Sequence, residues 1–88
     1  MNKFLTFASK SGKEASMVRE RLYNQAKRYI EIIERMERTH DSALLAELEE
    51  LRGYWHNMLL NSFRLEGIEY RDREDVTRMA YRIVKGFE

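Results

Sequence analysis

Few side chains in this sequence have the type and spacing to do chemistry. The 88-residue chain has no cysteine, so it has no thiol nucleophile and no cysteine-bound zinc or iron–sulfur centre. Its two histidines, His40 and His56, fall in no HExxH or nucleophile–base pattern, and there is no GxSxG. Its four glycines are not grouped, so neither GxGxxG nor GxxxxGK[ST] is present to cradle a phosphate. His40 is expected near a helix C-terminus, where an imidazole suits the dipole. His56 is expected half-buried beside Trp55, with Glu49 and Arg52 preceding it on the same helix. Glu47 and Glu50 lie one turn apart, with Asp41 a little earlier. Paired carboxylates can act as acid and base or hold a divalent ion. Here they read as a solvated acidic face, because no partner group converges on them. Glu69-Tyr70-Arg71-Asp72 lacks the ligand spacing of a calcium loop and reads as a cap and ion-pair region. The sequence therefore implies no enzyme, no cofactor and no metal.

Charge is distributed more informatively than it is summed. The formal net charge is only +1, well short of the imbalance of a strongly basic nucleic-acid binder. Residues 1–38 nevertheless carry nine basic and five acidic groups, and residues 39–66 carry two and five. Within the basic part, Arg21, Arg28 and Arg35 are seven apart. On a helix they form a row with about 10 Å between neighbours, and Lys10 extends it if the helix reaches back that far. Such a row can follow a phosphate backbone. It also suits the flank of a self-associating helix. Glu31 before Arg35 and Glu34 before Arg38 are placed for i,i+4 pairing, which favours a solvated ionic face or a protein-docking one. Tyr23, Tyr70 and Tyr81 are candidates for partial exposure, and Tyr with Arg is enriched at binding surfaces.

The elements that must position these residues are helical. Hydrophobic residues make up 43% of the chain and charged residues 35%, which is too apolar for a disordered tail and too polar for a membrane protein. No stretch approaches the roughly 18 apolar residues of a span, and the apolar run at Phe4-Leu5-Thr6-Phe7-Ala8 is too short for an export signal. A single cytoplasmic domain is expected. Proline is absent, which permits long helices. Ser11-Gly12-Lys13-Glu14 reads as a capping box. Ala15, Val18, Leu22, Ala26, Tyr29, Ile33 and Met36 then recur on one face, giving a helix over about 12–38. Asp41 caps a second helix over about 42–66, with a stripe of Leu44, Leu48, Leu51, Trp55, Met58 and Ser62. Gly67 ends it in a left-handed cap, with Ile68 reaching back to Phe63. Asp72 caps a third helix over about 73–85, with Val76, Met79, Ala80 and Ile83 on one face and Gly86 as its stop.

The expected fold is all-α: a long antiparallel helical hairpin with a short third helix, three-helix-bundle-like. In the expected register Met36 sits near Leu44 or Leu45, Tyr29 meets Leu51, and Leu22 lies near Met58. Two helices cannot bury Tyr54, Trp55, Met58, Leu59, Leu60 and Phe63 together. The third helix and the arm of residues 1–10, with Phe4, Leu5 and Phe7, are expected to dock there, or else a second copy covers the excess as a homodimer. Gly53 inside the second helix is either a tolerated surface glycine or a close crossing. The function these features favour is a small non-enzymatic protein-interaction module, an adaptor, inhibitor or regulatory subunit presenting a helical face to a protein partner. The alternative is a nucleic-acid-associated regulator using Arg21, Arg28 and Arg35. An enzyme assembled only in an oligomer ranks third.

Overall fold

The structure is a computed structural model that describes the backbone of residues 12–87 and the side chains of residues 16–86. The arm of residues 1–10, with Lys10, and Ser11 of the capping box lie outside the described residues. Three helices follow in order, α1 (Gly12–Arg38), α2 (Ser42–Leu65) and α3 (Arg73–Phe87). The described residues hold no strand.

Local chemistry explains the ends. The Asp41 side chain accepts from the N–H groups of Ala43 and Leu44 at 2.9 and 3.2 Å, satisfying two donors that the first turn of α2 leaves free. At the other end of α2 the Ile68 N–H reaches the Phe63 carbonyl at 2.8 Å and the Gly67 N–H reaches Arg64 at 3.3 Å. That pairing needs a left-handed residue between them, and Gly67 supplies it with φ +69°. Asp72 accepts from the Asp75 N–H at 2.8 Å, opening α3. The Asp75 carboxylate in turn accepts from the Arg71 N–H at 3.0 Å. That hydrogen bond, with the charges of Arg71 and Arg78, holds the Asp75 carboxyl below the ordinary carboxylate value. Gly86 does not stop α3, which runs on to Phe87. Among the described glycines only Gly67 turns left-handed, and a glycine ends a helix where the chain takes that turn.

α1 is the middle helix. α2 packs along one side of it and α3 along another, while α2 and α3 scarcely meet. The core forms where all three come closest, towards the open end of the hairpin. Leu22, Ala26 and Tyr29 of α1 meet Leu59 and Phe63 of α2 and Val76, Ala80 and Ile83 of α3, with Ile68 packed against the cluster. Each large side chain buried there contributes about 1.5–3 kcal/mol. Towards the turn at Thr39–Asp41 the hairpin is thinner, and burial there is confined to Ile32 and Leu48.

The two long helices are registered by polar contacts. Gln25 and Ser62 are both buried, and the Ser62 hydroxyl donates to Gln25 Oε1 at 2.7 Å. Beyond them Arg21 donates to Glu66 at 3.1 Å. The Tyr29 ring meets His56, with centroids 5.8 Å apart, and its hydroxyl lies 3.1 Å from Thr77 Oγ1 on α3. This differs from the expected register, in which Tyr29 meets Leu51. Leu51 is exposed instead. The row that α2 turns inward is Leu48, Arg52, His56, Leu59 and Phe63. Of the expected stripe Leu48 and Ser62 are buried, while Leu44, Trp55 and Met58 are half-buried beside a row interrupted by Arg52 and His56. α3 also sits differently from expectation. It packs chiefly on α1, and of the excess apolar surface of α2 it helps bury Leu59 and Phe63 and leaves Tyr54 exposed.

A Cβ at Gly53 would meet nothing within 4 Å, so the glycine is a tolerated one and no helix crosses there. Gly53→Ala is expected to raise the unfolding free energy by about 0.5–1 kcal/mol. Gly67→Ala should lower it by about 1–2 kcal/mol, because alanine resists the left-handed backbone. Urea unfolding followed by circular dichroism checks both, and a destabilised Gly53→Ala would contradict the packing described.

Candidate functional site

The candidate site follows from the placement of α1 between its neighbours. With α3 on another side, the described residues leave the seam between α1 and α2 open along much of its length. Two shallow grooves, of about 490 and 340 Å³, follow this seam and share Arg28 and Trp55. Together they run from Met17, Arg21 and Met58 to Arg35, Leu48 and Leu51. No described residue of α3 borders either groove.

α2 supplies the apolar wall. Leu44, Leu51, Met58 and Leu65 are seven residues apart, so they share one helical face, with Tyr54 beside them. Leu65 is 73% exposed, Tyr54 59% and Leu51 47%, and Met17 across the seam is 62% exposed. Trp55 lies half-buried between the helices. Tyr54 meets its ring edge-on, with centroids 5.5 Å apart and planes at 89°. The Arg28 guanidinium stands over the Trp55 ring, 6.0 Å from its centroid, in cation–π geometry.

α1 supplies a charged wall, in which Glu20 and Glu31 stand among the arginines. The structure brings Arg21, Arg28 and Arg35 onto one edge of the groove, where the seven-residue spacing places them. Their surroundings differ. Arg21 is tied to Glu66, whose side chain is only 6% exposed, and Arg28 rests over Trp55. The Arg35 side chain is exposed and makes no ion pair among the described residues. The expected pairs Glu31–Arg35 and Glu34–Arg38 do not form.

The three tyrosines expected at a surface do not gather. Tyr23 is half-buried against the core, with the Lys27 ammonium 5.7 Å from its ring centroid. Tyr70 is exposed on the α2–α3 connection, its ring centroid 6.3 Å from that of Phe63. Tyr81 lies with Glu34 in the α1–α3 cleft. Partial burial, and then the charges of Glu34 and Glu37, push its phenol above the ordinary value. The residues that sequence reasoning missed as surface are Leu51 and Leu65, whereas Tyr54 belonged to the expected excess. The available signal was the seven-residue repeat of Leu44, Leu51, Met58 and Leu65 outside the row of Leu48, Leu59 and Phe63, which makes an apolar arc too broad for one neighbouring helix.

The polar groups weighed for catalysis stand apart. His40 is exposed in the turn, and Glu47 and Glu50 are exposed on α2. Glu49 pairs with Arg52 at 2.6 Å and approaches Arg73 at 4.0 Å. Among the described residues no group of three or more His, Asp or Glu side chains could hold a metal ion. No described helix is long and apolar enough to cross a membrane. Comparison with protein-family models, with curated proteins and with solved structures finds no match to this chain.

Among the described residues of the seam, His56 has its pKa shifted by its surroundings. Its Nε2 is buried without a hydrogen-bond partner. Desolvation, and then the Arg52 charge, lower its pKa below 6.5. The unfolded chain therefore takes up this proton more readily than the folded one. The linked stability is complete above pH ~6.5 and is lost as pH falls towards the folded value. The midpoint of urea unfolding should drop between about pH 7.5 and about pH 5.5, and His56→Leu should flatten that drop. An equal drop in the variant would assign the effect to other groups.

Proposed function

We propose that this protein is a small non-enzymatic interaction module, an adaptor, inhibitor or regulatory subunit, whose working surface is the open α1/α2 face. One observation carries the reading: Leu51, Tyr54, Met58 and Leu65 lie together on α2 and no described residue of α3 covers them. Large apolar patches on small proteins mark interaction sites, and aromatic, Met and Arg residues are the types that anchor them. Trp55 under Arg28 supplies such an anchor at the middle of the groove. The face is built on two long helices in fixed register, so binding on it loses little conformational entropy.

The nucleic-acid reading draws less support. Two of the three arginines of its row are engaged within the chain, Arg21 by Glu66 and Arg28 by Trp55. The acidic groups of α2 also lie close by, with Glu49 and Glu50 on the same helix as the apolar wall.

Site-specific photo-crosslinking inside the cells that make the protein tests the proposal. A crosslinker at Leu51 should trap a protein partner, whereas one at Arg82, on the exposed side of α3, should not. Adducts from position 82 with none from position 51 would overturn it.

A further inference from the structure

We infer that the apolar stretch of the N-terminal arm, Phe4-Leu5-Thr6-Phe7-Ala8, is the occupant of the groove at the open end of the α1/α2 seam, against Met17, Met58 and Trp55. The inference rests on the reading of that seam as the working surface, and it confines the partner's footprint to the turn end, around Arg35 and Leu51. Its grounds are where the arm joins the fold, how far it reaches and what the groove offers it.

The arm joins the fold beside that groove. α1 begins at Gly12, and Met17, at the mouth of the groove, stands about 8 Å further along the helix. Met17 and Leu65 are the most exposed large apolar side chains among the described residues, and both lie at this end of the seam. Ser9, Ser11 and Gly12 are residue types that turns favour, so the chain before α1 is suited to fold back along it. Phe7 precedes Gly12 by five residues and Phe4 by eight, which allows spans of at most about 17 and 26 Å. Arg28, over the Trp55 ring, is about 24 Å along α1 from Gly12. Phe7 therefore reaches Met17, and Phe4 reaches as far as Trp55. Arg35 of the second groove is about 35 Å out and lies beyond Phe4.

The other hollows suit the arm less. The α1/α3 cleft starts at Lys27, about 22 Å from Gly12, which is beyond Phe7. The hollow around Ser16, Arg19 and Glu20 offers one aromatic ring, Tyr23, which the Lys27 ammonium already faces. The groove of the seam offers Met17, Met58 and Trp55 together, and thioethers are adaptable neighbours for aromatic rings. The charged side chains of the arm, Lys3 and Lys10, flank its apolar stretch, so neither has to leave water. Tethered through a few residues, the stretch is present at an effective concentration on the order of millimolar. A partner then meets the open-end groove filled and the turn-end groove free.

Paramagnetic relaxation in the full chain tests the inference. The sequence has no cysteine, so Asn2→Cys carries a single nitroxide label just beyond Phe4. The Trp55 indole and the Met58 amide should lose their signals, while Arg82 on the exposed side of α3 keeps its own. Phe4→Ser, Leu5→Ser and Phe7→Ser together should restore the lost signals, with the helical circular dichroism unchanged. The inference is overturned by intact signals at Trp55 and Met58, by loss centred instead on Tyr23 or Tyr81, or by loss that survives the serine substitutions. It is also overturned if isotope-labelled chain without the nitroxide shows the same loss when mixed with chain that carries it, which would assign the groove to the arm of a second copy. The crosslinker at Leu51 reads the interaction proposal separately. Signal loss at Met58 with no adduct from position 51 would keep the arm in its groove and refute the interaction reading. Adducts from position 51 with no signal loss would refute the arm and leave that reading standing.

Discussion

The buried hydrogen bond between Ser62 and Gln25 is the constraint on which the rest of the molecule turns. An apolar seam alone specifies register weakly, since one leucine is nearly as good a neighbour as the next. Two buried polar groups that satisfy each other are less tolerant. Sliding α2 by a turn would leave the Gln25 and Ser62 side chains buried without a partner, at about 1–3 kcal/mol for each group. The Arg21–Glu66 pair repeats the constraint near the open end, where the Glu66 side chain is almost wholly enclosed. Together they place Leu59 and Phe63 opposite Leu22 and Ala26, and so locate the core.

That placement decides what remains outside. A helix cannot turn Leu59 and Phe63 inward without turning Leu51, Met58 and Leu65 partly outward, because the two sets lie on different arcs of the same cylinder. α3 then follows the largest apolar surface available next to α1. It buries Val76, Ala80 and Ile83 there and leaves the seam on the other side open. The open face is thus a consequence of how the hairpin is registered. It carries Arg21, Arg28 and Arg35 with Glu20 and Glu31 on the α1 edge and apolar groups on the α2 edge.

The sequence made the local devices legible. Asp41, Gly67 and Asp72 announce caps through side-chain or backbone chemistry that acts within a few residues, and the helix limits follow from them. The arginine row was legible for the same reason, since a seven-residue spacing fixes a common edge whatever the tertiary structure. The inward face of α2 was legible only in part: Leu48 and Ser62 of the expected stripe are buried, but Leu51 is exposed. Its central positions are Arg52 and His56, and a hydrophobicity pattern cannot show that a half-buried imidazole lies against Tyr29 or that Arg52 is tied to Glu49. Ser62 stands in the expected stripe, but its hydrogen bond was not legible, because Gln25 is 37 residues away and only the fold brings them together. The docking of α3 on α1 depended on that inward face, and so the open surface of α2 followed from information the linear pattern does not contain.

The account therefore stands on one geometric statement: α2 is registered through Ser62 and His56, and α3 lies clear of the face that bears Leu51 and Met58. Nuclear Overhauser contacts in the full-length protein read this directly. Contacts should run from the Gln25 side chain to Ser62, from the Tyr29 ring to His56, and from the methyl groups of Val76 and Ile83 to the core residues of α1. Contacts from those α3 methyl groups to Leu51 or Met58, or from Tyr29 to Leu51 in place of His56, would contradict it.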